Sequence, residues 1–195
     1  MEVMTQFSAP QPSAWVPSDA AELPEVQIAM ALVASADPVR VTAVGQASLL
    51  GLCKVAVFGS RHCPPERMLL AFDWARSLPE CGTVLVGGFH SPIEQECLAI
   101  ALRRHLPVIV CVGRSFSRMR PATEWREAVD DGRMLILSTF LPTARRLTEE
   151  RSVERNYFAA ALADEIAFVH AAPGGHTEQL KAAVANWGKS IVNIA

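Results

Sequence analysis

Three short stretches of this 195-residue chain carry residue types suited to holding an anion. In VFGSRHCPPER an apolar run ends in Gly59, Ser60 and Arg61, and Pro64 and Pro65 then start a helix. Glycine lets backbone approach a ligand closely, serine offers a hydroxyl, and the planar guanidinium fork suits phosphate. The same letters also make a tight strand-to-helix turn with a surface arginine, and at this point both readings stand. HAAPGGHTEQL places Gly174 and Gly175 where the amides of a helix N-terminus converge, with His176 and Thr177 following. Such a turn after an apolar strand is a phosphate site, and Thr177 can cap the helix while turning its hydroxyl to the same anion.

The third stretch, VGGFHSPIEQE, reads differently. Ser91 at the N-cap, Pro92 at the first helical position and Glu94 three residues on from Ser91 form a capping box. A carboxylate at that helix end opposes a phosphate, so this turn is expected to meet a sugar, a base or the neighbouring loop. Gly87, Gly88, Phe89 and His90 are not explained by capping; Phe89 either stacks on a base or packs in the core.

These turns need a scaffold. KVAVF (54–58), TVLV (83–86), PVIVCV (107–112), RMLILS (133–138), EIAFVHA (165–171) and SIVNI (190–194) are continuous apolar runs, as parallel strands buried on both faces are. Between them lie helical patterns: PERMLLAFDWARSL, PIEQECLAIALRRH, ATEWREAVDD, a segment from about Glu149 to Leu162, and TEQLKAAVANW. The expectation is an α/β, Rossmann-like three-layer sandwich with a mostly parallel sheet, in which ligands bind at the carboxyl ends of the strands. Residues 53–195 are read as that domain. Residues 1–24, rich in Ala, Pro and Ser, are read as a flexible arm, and residues 25–52 as a short helical extension whose helix ends near Ala36.

Composition excludes several classes. No apolar run approaches the ~18 residues of a membrane span, and the first twenty residues lack the basic start of a secretory signal, so a cytoplasmic protein is expected. Five cysteines without a C-x-x-C pair read as reduced, buried thiols, and neither a metal site nor a cofactor is expected. Net charge is −2. Nine arginines fall between Arg114 and Arg155 but share the interval with seven acids, which reads as a mixed surface and not as a continuous nucleic-acid stripe.

The order of motifs VAVFGSR, VGGFHSPIEQECLAIAL, RNYFAAALAD and APGGHTEQLKAAVANWGK resembles the Rossmann-like domain of the DprA/Smf family of DNA-processing proteins. That family lies in a superfamily with the LOG phosphoribohydrolases. The resemblance runs from about Cys53 to Ile194 and implies a pocket for a nucleotide or for single-stranded DNA phosphates. It carries over to Gly59, Ser60 and Arg61, to Gly87 and Gly88, to Arg155 and Asn156, and to Gly174, Gly175 and Thr177. It also implies a part in DNA uptake and recombination, a recombinase partner, and self-association; a homodimer is expected, with the apolar face of the helix at Val26 to Val33 as its candidate interface. Two departures stand out: GGFHSPIEQE replaces a Gly-Ile-Asp segment, and the winged-helix module of many longer relatives is not expected here. Related domains serve as nucleotide sensors in signalling and defence. The LOG-like alternative is a hydrolase of nucleoside monophosphates with Arg155 holding phosphate and Glu178 acting at the glycosidic bond, although PGGHTEQL lacks one glycine and one glutamate of that pattern.

Overall fold

The computed structural model describes residues 41–117, 119–192 and 194, together with 18–19, 26–27 and 29. Its centre is an eight-stranded sheet in the order β1-β2-β6-β5-β4-β3-β7-β8. The strands are β1 (Ser18–Asp19), β2 (Thr42–Gly45), β3 (Cys53–Gly59), β4 (Thr83–Gly87), β5 (Val108–Val112), β6 (Met134–Ser138), β7 (Glu165–His170) and β8 (Ser190–Val192). From β6 across to β8 every neighbouring pair is parallel, and β2 alone runs antiparallel to β6. Helices α1 (Pro65–Ser77), α2 (Pro92–Arg103), α3 (Thr123–Asp130), α4 (Glu149–Leu162) and α5 (His176–Val184) connect the parallel strands.

The apolar runs explain the layering. Val57 of β3 points to one face, where it joins Ala71 and Ala75 of α1, Ile93 and Cys97 of α2, and Ala128 and Val129 of α3. Ala56 and Phe58 point to the other, against Phe158 and Ala159 of α4 and Leu180 and Val184 of α5. A strand covered by helices on both sides is buried at every position, which is why these runs do not alternate. The three-layer sandwich and its parallel core match the sequence reading.

The amino-terminal part differs from it. Thr42–Gly45, inside the span read as a helical extension, is a strand of the sheet, and Leu49 and Leu50 of the following 3-10 turn are buried. Ser18–Asp19, inside the span read as a flexible arm, pairs with it at the edge. Of the expected helix only Val26, Gln27 and Ala29 lie among the described residues; the rest of it and of the arm lies outside them. Val26 and Ala29 are fully buried in the cluster that holds Phe158 and Leu180. The apolar face on which the sequence reading based a dimer is thus already covered at these two positions. The cysteine reading also divides: Cys97 and Cys111 are buried, with burial pushing each thiol up to about 12, whereas Cys53 and Cys81 are exposed. Cys53 stands at the start of a strand and Cys81 in the turn before one, where the chain emerges from the core.

The strand order has one feature that places the site. From β3 the chain builds outward through β4, β5 and β6 on one side, then returns to add β7 and β8 on the other. Loops leaving β3 and β7 therefore diverge to opposite faces and open a crevice at their carboxyl ends. A register shift between Phe58 and Gly59, with Val169 of β7 as the extra residue, interrupts the regular β3–β7 ladder at that end.

Candidate functional site

A cleft of about 580 Å³ occupies this crevice. The loop after β3 contributes Gly59, Ser60, Arg61 and His62, the β4–α2 turn His90, Ser91 and Glu94, and the β7–α5 turn Ala172, Gly175, His176 and Thr177. The segment leading into α4 supplies Leu147 and Thr148, and the amino-terminal half of α4 supplies Glu149, Ser152, Val153, Arg155 and Asn156.

Each loop is tied to its neighbour. Ser60 Oγ accepts from the Ala172 amide at 2.8 Å, and the Ser60 amide donates to His170 O at 2.9 Å, joining the first loop to the third. Glu94 joins the first to the second. Its Oε1 accepts from the Gly59 amide at 3.1 Å and its Oε2 from the amides of His90 and Ser91 at 2.9 and 3.5 Å. Ser91 Oγ in turn accepts from the Glu94 amide at 3.4 Å, completing the expected capping box. Burial pushes the Glu94 carboxyl above the usual range, against the pull of those amides and of Arg155.

Arg155 is 3% exposed. Its Nε and one terminal nitrogen donate to Asn156 Oδ1 at 3.2 and 2.9 Å, and the other terminal nitrogen to Gly88 O at 3.4 Å. Burial lowers its pKa, while Glu94 opposes that shift. The guanidinium is therefore part of the cleft floor, fastened to the β4–α2 turn, and less free to meet a ligand than the sequence reading assumed. Because Arg155 takes Asn156 Oδ1, the Asn156 amide nitrogen is the end left to act as a donor.

The glycines of the second turn serve this packing. A Cβ on Gly88 would lie 2.2 Å from Arg155 Nε, and one on Gly87 3.1 Å from the Phe89 ring. Neither glycine lines the cleft. Phe89 is 6% exposed and belongs to the core beneath α2, so its ring has no face to offer a base. Its backbone lies at φ +48°, a left-handed conformation unusual for a bulky residue, and this turns the ring inward.

At the third turn the amides of His176 and Thr177 have no hydrogen-bond partner within the described protein, and Gly175, the N-cap of α5, supplies no side chain to satisfy them. They are the first donors of a nine-residue helix and lie in the cleft wall. Gly174, at φ +73°, makes the turn and lies outside the lining. Glu178, the carboxylate of the hydrolase alternative, accepts from the Gly174 amide at 2.8 Å and does not line the cleft either. The carboxylates that do are Glu94 and Glu149.

Sequence reading missed Glu94 as a clasp, and the contribution of Leu147 to Val153. Thr148 does cap α4, accepting from the Arg151 amide at 3.3 Å, so the cap was visible as a Thr before two acids; its place beside α5 was not. His176 Nε2 lies 2.8 Å from Glu149 Oε1 across the rim, and Glu149 holds the imidazole pKa above its usual value. His90 is shifted the other way, by burial first and then by Arg155 and Arg61. Among the described residues no three His, Cys, Asp or Glu side chains are grouped to hold a metal ion, and no helix is long and apolar enough to cross a membrane.

A family model described as DNA recombination-mediator protein A matches residues 20–192. Among solved structures, that of DNA processing protein A (DprA) from Streptococcus pneumoniae superposes with a TM-score of 0.71 at 20% identity, covering 91% of this chain and 62% of that one. A structure of DNA processing protein A from Helicobacter pylori, described for its unique single-stranded DNA binding mode, superposes with a TM-score of 0.71 at 21% identity, covering 93% and 81%. No curated protein matches. The chain thus spans less than two thirds of the length of the streptococcal protein.

Proposed function

The chain belongs to the family of DNA recombination-mediator protein A, and from that membership we propose that its cleft binds the phosphates of a nucleotide or of single-stranded DNA. The observation that carries the proposal is the meeting, at the switch point of the sheet, of the free His176 and Thr177 amides with Ser60 and the exposed Arg61. Helix-end amides and a guanidinium are the donors that phosphate oxygens take. The Ser60 oxygen already accepts from Ala172, so its own O–H is the group left for a ligand.

The single-stranded DNA binding described for the Helicobacter pylori protein supports the same reading for this fold. The family's description as a recombination mediator supports a recombinase as protein partner, a role in DNA uptake and recombination, and a cytoplasmic location. Self-association belongs to the same proposal. The hydrolase alternative has no support from Glu178, which is occupied within its own turn.

Anisotropy titration of a labelled oligothymidylate tests the proposal. Arg61→Glu leaves the fold intact, because the side chain is exposed, and weakens binding at least about tenfold, the loss of a charge-assisted hydrogen bond. Affinity also falls as salt rises. Binding indifferent to both the substitution and salt removes phosphate contacts from the cleft.

A further inference from the structure

His176 opens α5 and Glu149 opens α4, and their side chains meet across the cleft rim at 2.8 Å. The second ring nitrogen, Nδ1, lies 3.4 Å from Gln179 Oε1. Both nitrogens therefore face oxygen, an arrangement satisfied at both ends by an imidazolium donating twice. No ring N–H remains for a ligand. A carboxylate of the chain itself thus lies on the imidazole that adjoins the free His176 and Thr177 amides.

We propose that Glu149 is a built-in competitor for the anion site: its carboxylate occupies His176 in the empty cleft, and a ligand phosphate must displace it to bind. The inference rests on the phosphate reading above and adds to it a regulation of the same site. Geometry supports displacement over a permanent brace. The Glu149 and His176 side chains are 77% and 51% exposed, so the pair is held by neither packing nor burial. Exposed ion pairs are weak, and breaking this one costs little. The backbone donors beside it are free, so a phosphate that takes them replaces one carboxylate with a group able to bridge the ring and the helix end. Glu149 then swings into solvent at the start of α4, where the helix dipole still favours a negative charge.

Glu150 provides the control. It is exposed, carries the same charge on the same helix end, and does not line the cleft. Dissociation constants of a nucleoside 5′-monophosphate and of an oligothymidylate are measured for the full chain, for Glu149→Gln and for Glu150→Gln. Glu149→Gln is expected to tighten both ligands about fivefold, the scale of one exposed ion pair no longer broken. Glu150→Gln is expected to change them by less than about twofold, since its charge is screened by solvent. Unchanged or weaker binding by Glu149→Gln makes Glu149 a bystander or a positioning residue and overturns the proposal. Equal tightening by both variants reduces it to general charge repulsion and also overturns it. If the unaltered chain binds neither ligand, the phosphate reading falls first, and this inference with it.

Discussion

Phe89 is a residue whose sequence context leaves a ligand contact and a core position both open, and whose position assigns it to the core. It follows two glycines in a loop at a strand end, where an aromatic ring can stack on a base. Its φ of +48° instead turns the ring under Gly87, into the cluster with Ile93 and Cys97. Phe89→Ala is accordingly expected to lower stability by about 3 kcal/mol or more, the cost of emptying a buried aromatic site. Nucleotide affinity, measured where the variant is still folded, is expected to change little. Chemical denaturation and titration together check this. A loss of affinity at unchanged stability restores the stacking role. Arg155 makes the same point: the resemblance implied a phosphate contact, but its burial and its bonds to Asn156 and Gly88 make it a support. Neither distinction is visible in sequence, because one depends on which side of a turn faces the core and the other on how α4 lies against the β4–α2 turn.

At the scale of elements, the β4–α2 turn is organised by Glu94. Its carboxylate receives three amides, one of them from Gly59, 35 residues away in sequence. Glu94→Gln replaces one accepting oxygen with a donor and is expected to cost about 1–3 kcal/mol, with buried amides left unpaired. The pH dependence has a definite sign. Burial raises this carboxyl in the folded chain, so the folded state keeps its proton to higher pH than the unfolded state does. Stability from this group is complete below the ordinary glutamate range and is lost as pH rises through the raised value. Glutamine does not titrate. The gap between the original chain and the variant is therefore expected to narrow as pH rises through that window, as urea unfolding at several pH values measures; a gap that widens contradicts it. The capping box itself was legible, since Ser91 and Glu94 are three residues apart, but the clasp on Gly59 requires β3 and β4 to be neighbours. The parallel strands were legible for a similar local reason: runs such as VIVCV are apolar at every position. Strand β2 was not, because TAVG is short, shows no alternation, and becomes a strand only by pairing with β6.

For the whole molecule, a net charge of −2 gives no general attraction to nucleic acid, so binding must come from where charges and amides are placed. Topology does the placing. Because the strand order reverses at β3, loops distant in sequence open onto one crevice, and the start of α4 closes its side. Three turns could be read from glycines and caps because that chemistry is local. The fourth wall, from Leu147 to Asn156, could not be fixed from spacing because it depends on how α4 lies beside α5. Amide-resolved NMR titration with a nucleoside 5′-monophosphate tests whether phosphate sits at the start of α5. The largest shifts are expected at the amides of His176 and Thr177 and around Ser60 and Arg61, with the α2–α3 groove beside Trp125 unmoved. Silent His176 and Thr177 amides, with the main changes at Trp125 or elsewhere, place the ligand outside this cleft.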